Sequence, residues 1–116
     1  MLGRRFRASL AVVPIAVATT VFAVGSPASA ACKTDWSNKG AGGRGQYTEE
    51  AAPLRSGPAE GCSSDKTLPA STALIYHCFV TNTAGNSWTH VKVQGQNLSG
   101  WIWDNHLKDN GSPYKC

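Results

Sequence analysis

LIYHCFVTNTAGNSWTHVKV, residues 74–93, decides the fold class. In its first half Leu74, Tyr76, Cys78 and Val80 alternate with Ile75, His77 and Phe79, and both sets are largely apolar, the pattern of a strand buried on its two faces. In its second half Thr89, Val91 and Val93 fall on one face and Trp88, His90 and Lys92 on the other. Between them Asn82-Thr-Ala-Gly-Asn86 has the composition of a hairpin turn, because Asn bonds its own backbone and Gly takes positive φ without strain. Gln94-Gly-Gln-Asn97 predicts a second turn, leading into Gly100-Trp-Ile-Trp103. Gly and Pro punctuate the chain too often for a helix of normal length. The expectation is an all-β domain of about five short strands.

Outward from this hairpin, the N-terminus reads as an export signal. Arg4, Arg5 and Arg7 precede an uncharged run from Ala8 to Val24, and Ala28-Ser-Ala30 offers small residues for cleavage after Ala30. The run is shorter than the roughly 20 apolar residues of a membrane span and contains Pro14. A signal peptide over 1–30 is therefore expected, with a secreted, extracellular product that can associate with the cell wall and has no membrane span after cleavage. The formal charge of the 116-residue chain is +4, but removing the three arginines leaves eight Lys and Arg against seven Asp and Glu, a formal +1. No basic cluster remains to cover a phosphate backbone, so nucleic acid is not an expected partner. Gly40-Ala-Gly-Gly-Arg-Gly45 predicts a flexible segment over 31–45, carrying Trp36, ahead of a domain over 46–116.

The four cysteines, Cys32, Cys62, Cys78 and Cys116, predict two disulfides in an exported domain of this size. Three pairings are possible. We expect Cys62–Cys78, closing a loop of about 15 residues worth roughly 3 kcal/mol in the chain-entropy model, and Cys32–Cys116, tying the ends together for roughly 4 to 5 kcal/mol. No C-x-x-C spacing argues for zinc and the three histidines are scattered, so neither a metal nor a cofactor is expected.

Four segments then carry a resemblance. Ala52-Pro-Leu-Arg-Ser-Gly-Pro58 resembles the LNVRSGPS opening of bacterial SH3-like (SH3b) domains, and Thr67-Leu-Pro-Ala-Ser-Thr72 their LPKGT turn. Trp88-Thr-His-Val91 followed by Gly100-Trp-Ile102 resembles their paired WYKV and GWV segments. The order and spacing agree over about 60 residues. The resemblance implies a five-stranded SH3-like barrel with no catalysis of its own, holding cell-wall peptidoglycan or a peptide or protein ligand; with the two disulfides expected from the cysteine count, the reading is a disulfide-stapled monomer. It places Ile102, Val91 and Leu107 in the core, and Trp88, Trp103 and His106 in a ligand groove. The four cysteines and the glycine-rich preface are additions to the family pattern.

From the residues alone, Trp88 and Trp103 suit either a wet recognition surface or reinforcement of a small core. His77 beside Cys78 reads as a partly buried histidine, not half of a Cys–His nucleophile, and Asp104-Asn-His106 as a turn. Glu49 and Glu50 point to opposite faces and make poor acid–base partners. Arg55 is expected to brace its loop. The alternative function is a disulfide-stapled inhibitor or effector acting on another exported protein through the loop from Arg55 to Pro69.

Overall fold

The computed structural model describes residues 32–40 and 46–116. The expected signal peptide and most of the glycine-rich spacer lie outside the described residues. Five strands form one antiparallel sheet: β1 Ala52–Arg55, β2 Ser64–Leu68, β3 Leu74–Thr81, β4 Ser87–Val93 and β5 Ser99–Trp103, in the order β2-β1-β5-β4-β3. Two single 3-10 turns follow, Asp104–His106 and Lys108–Asn110.

Both anticipated turns are present. Asn82 accepts the amides of Ala84 and Asn86 on Oδ1 at 3.0 and 3.1 Å, and Gly85 sits at φ +86°, so the turn between β3 and β4 is held by its own side chain. Gly95 at φ +78° reverses the chain between β4 and β5, where the Val93 amide donates to the Leu98 carbonyl at 2.8 Å. That reversal sets Trp88 opposite Trp103, Thr89 opposite Ile102 and His90 opposite Trp101. At the β1–β5 contact, a Cβ on Gly100 would lie 2.8 Å from the Arg55 carbonyl oxygen and from Leu54 Cγ, so only glycine lets the strands approach.

The β3 alternation departs from a simple period of two. The β3–β4 register shifts between Tyr76 and Cys78, placing a bulge at His77. Before it, Tyr76 lies opposite Val91 and Leu74 opposite Val93; after it, Cys78 faces His90 and Val80 faces Trp88. Leu74 and Tyr76 therefore point into the core, while Cys78 and Val80 share the other face.

The core comprises Ala52, Leu54, Leu68, Leu74, Tyr76, Val91, Val93, Ile102 and Leu107, and so includes all three residues the resemblance places there. Tyr76 reaches the edge of this layer, where its hydroxyl donates to the Lys108 carbonyl at 2.9 Å; burial first, then the Asp109 charge, pushes its ionisation upward. Thr48 is fully buried and ties three segments together: it bridges Leu107, its hydroxyl donates to the Pro69 carbonyl at 2.8 Å, and its Oγ1 accepts the Thr72 amide at 2.9 Å. The edge strands β2 and β3 are consecutive in sequence, and these bonds hold their connection against the turn after β5. The sheet is not closed by hydrogen bonds between β2 and β3.

The disulfides correct the expected pairing: Cys32 bonds Cys62 and Cys78 bonds Cys116. Loop entropy describes the unfolded chain and does not say where folded cysteines land. Cys62 lies between β1 and β2, where the segment carrying Cys32 reaches it. Cys116 instead reaches Cys78 because the C-terminal tail runs parallel to β3: the Phe79 amide donates to the Tyr114 carbonyl at 2.8 Å and the Cys116 amide to the Phe79 carbonyl at 2.9 Å. The N-terminal strap, residues 32–40, lies against the same strand, with the Lys39 amide donating to the His77 carbonyl at 2.9 Å. Each terminal segment is thus stapled, and together they cover backbone on the β3 edge that would otherwise offer a template to another chain.

Candidate functional site

β4 and β5 present Trp88, His90, Trp101 and Trp103 on the face away from the core, since directly opposed residues share a face. This face divides in two. One half is a pocket of about 470 Å³, its open mouth included, lined by Pro53, Arg55, Glu60, Asn86, Trp88, Trp103 and His106. The sheet supplies Pro53 and Arg55 from β1, Trp88 from β4 and Trp103 from β5, and the first 3-10 turn adds His106. All three residues anticipated for the groove are brought together.

They contribute unequally. Trp88 is only 4% exposed and forms the floor, whereas Trp103 is half-buried and forms a wall. His106 meets the Trp103 ring edge-on, with centroids 5.3 Å apart, and its Nδ1 pairs with Glu50 Oε2. The Trp88 Nε1–H is buried without an acceptor among the described residues, a deficit of about 1–3 kcal/mol for a donor left unmet. Arg55 braces its loop, Nη1 donating to the Cys62 carbonyl at 3.0 Å, and Asn82 Nδ2 donates to the Pro58 carbonyl at 2.9 Å, so the pocket rim is held from both sides.

The other half of the face is covered. Trp36, on the N-terminal strap, stacks on His90 at 3.8 Å and on His77 at 4.6 Å, with the rings within 12° of parallel. Trp101 meets His90 edge-on at 5.1 Å. His77 and His90 face each other through Nδ1 atoms 2.9 Å apart. Burial, then the neighbouring His77, pushes the His90 pKa down to about 3, and burial with the Lys92 charge lowers that of His77. Sequence reasoning missed this cluster, because only the bulge turns His77 toward His90 and only the fold brings Trp36 across to them.

Below the pocket, Thr89 Oγ1 donates to Asp104 Oδ1 at 2.6 Å and accepts the Ser112 amide at 3.0 Å. Burial raises the Asp104 pKa to about 6 against the opposing effect of the Thr89 hydrogen bond. All four cysteines are in disulfides, so His77 has no thiolate beside it to activate. Glu49 and Glu50 lie in a bend ahead of β1 and not in a strand, and the pairing of Glu50 with His106, distant in sequence, had no local signal. Among the described residues no group of three or more His, Cys, Asp or Glu is placed to hold a metal ion, and no helix is long and apolar enough to cross a membrane. No family model, curated protein or solved structure matches this chain.

Proposed function

We propose that this chain is an exported, non-catalytic SH3-like binding module that holds a peptide, taken first as the peptide portion of peptidoglycan, in the pocket of Trp88, Trp103 and His106. The observation that carries the reading is the convergence of those three residues, from three separate elements, on one braced cavity at the sheet surface. Its walls combine the large apolar rings of Trp88 and Trp103 with Arg55 and Glu60, the mixture of anchor area and orienting polar groups that small binding sites use. The SH3-like barrel is supported by five short antiparallel strands whose edges are sequence neighbours and whose ends Thr48 ties together. Two disulfides fit an extracellular site of action.

A second reading, an inhibitor or effector of another exported protein, draws on the loop from Arg55 to Pro69, which is fixed by the Cys32–Cys62 bond, the Arg55 brace and the Asn82 contact. Such fixing limits the ordering penalty of a loop that docks into a partner. Sedimentation with purified peptidoglycan separates the readings. The wall-binding module pellets with the polymer, and Trp103→Ala abolishes pelleting; protein that stays in solution refutes wall binding and favours the second reading.

A further inference from the structure

The strap over His77 and His90 has the parts of a latch. We propose that residues 32–40 form a pH-operated cover, docked through Trp36 while the two histidines share an Nδ1–H···Nδ1 hydrogen bond and released when both imidazoles are protonated. At 2.9 Å the two Nδ1 atoms are bonded, so one ring donates and the other accepts. A first proton leaves that bond intact, because the donor ring can take it on Nε2. A second proton sets two N–H groups against each other and places two cations with ring centroids 5.1 Å apart, on residues 6% and 4% exposed.

The surroundings oppose the second charge. Lys92 lies on the same face of β4 as His90, the strap carries Lys33, Asp35 and Lys39, the C-terminal tail beside β3 carries Lys115, and β5 offers the uncharged Trp101. Asp35 is thus the one side-chain carboxylate on the described residues of these elements, against four lysines. The indole of Trp36 attracts a cation over its face, which favours docking on the singly protonated pair, but this attraction does not restore the lost N–H···N bond. The depressed pKa of His90, with the His77 charge as its second cause, agrees with His77 taking the first proton and His90 the second.

The sign follows from proton counting. The docked state binds fewer protons than the released one, so docking weakens as pH falls below the ordinary histidine value of about 6.5, by about tenfold per pH unit for each proton taken up on release. Release does not free a terminus. The Cys32–Cys62 bond and the Tyr47–Ala73 bridge hold the strap at both ends, so it opens as a loop and docks again without a second-order search. Opening bares His77 and His90, the rings that Trp36 covers, on the same face as Trp101 and Trp103.

The test is amide hydrogen exchange read by NMR on the full, disulfide-bonded chain between pH 7.5 and 4, with rates corrected for intrinsic pH dependence. The Lys39 amide, bonded to the His77 carbonyl, is expected to lose about two orders of magnitude of protection while the amides of Val91 and Ile102 keep theirs. In His90→Phe, which keeps a stacking ring and leaves only His77 to titrate, Lys39 protection should fall with pH far less than in the unaltered chain; His90→Gln serves the same purpose if the larger ring disturbs the fold. In Trp36→Ala the Lys39 amide should be unprotected throughout. Undiminished Lys39 protection at pH 4 in the unaltered chain, an equal acid loss in both His90 variants, or loss of Val91 and Ile102 protection together with Lys39 would each overturn the latch.

Discussion

Replacing Ile102 and Trp103 by alanine, one at a time, tests whether β5 separates stability from binding along consecutive residues. Ile102 is fully buried opposite Thr89 and packs in the core with Leu54, Val91 and Leu107. Truncation leaves a cavity and should cost about 2–5 kcal/mol. For a domain of this size each kcal/mol moves Tm by about 4–8 °C, so a mid-range loss of about 3 kcal/mol lowers Tm by about 12–24 °C. Trp103 points the other way, is half-buried, and meets His106 edge-on across the pocket. Its loss should cost roughly 1 kcal/mol of stability but 2 kcal/mol or more of binding, about thirtyfold in affinity. Thermal melts of both variants, run beside peptidoglycan sedimentation, read the two effects separately. Should Trp103→Ala melt as far below the unaltered chain as Ile102→Ala while still binding the wall, the assignment of these two faces is wrong. Trp88→Ala is not a clean third member of the series: at 4% exposure it should lose both binding and about 3–5 kcal/mol of stability.

Three further outcomes follow from the same packing. Non-reducing peptide mapping should recover Cys32–Cys62 and Cys78–Cys116, and Cys78→Ala with Cys116→Ala should lower stability by about 4 kcal/mol for the sequence separation of 38 that this bond spans. Gly111→Ala should destabilise the domain by about 3 kcal/mol or more in denaturant titration, because φ is +81° and an added Cβ collides with Thr89 Oγ1 and the Asp104 carboxylate. Asp104 holds its proton to about pH 6 when folded but only to 3.8 as an isolated group, so the folded state binds more protons in that window and stability falls as pH rises through it. His90 titrates in the opposite sense over an overlapping range, so the measure is the difference between the unaltered chain and Asp104→Asn: the variant should gain relative stability from pH 4 to 7, by at most about 1.4 kcal/mol per pH unit.

Much of the sheet was legible because its determinants are local. Asn82 makes its own turn and Gly95 supplies the positive φ of the next, and once that second reversal is placed, counting outward from Val93 and Leu98 sets Trp88 opposite Trp103. The bulge at His77 was not legible. Both faces of β3 are apolar, so slipping the register by one residue after Tyr76 changes no hydrophobic pattern, and the pattern is what a sequence displays. The disulfides failed as an inference for a related reason. Cys116 finds Cys78 through a parallel tail pairing with Phe79 that no spacing announces.

The same contrast explains the tryptophans. The nine-residue core lies on one face of the sheet, and among the described residues no second layer of secondary structure covers the other. Trp88, Trp101 and Trp103 make that outer face apolar, and an apolar sheet face exposed to water needs a cover. Trp36 supplies it over His77 and His90, arriving from the far side of a glycine-rich segment and held by a disulfide to the β1–β2 connection. The strap does not extend over Trp88 and Trp103, where the braced loop from Arg55 and the His106 turn stand apart and leave the cavity between them. The pocket is therefore the part of this face that the strap leaves open, beside the two histidines that the chain covers with its own tryptophan.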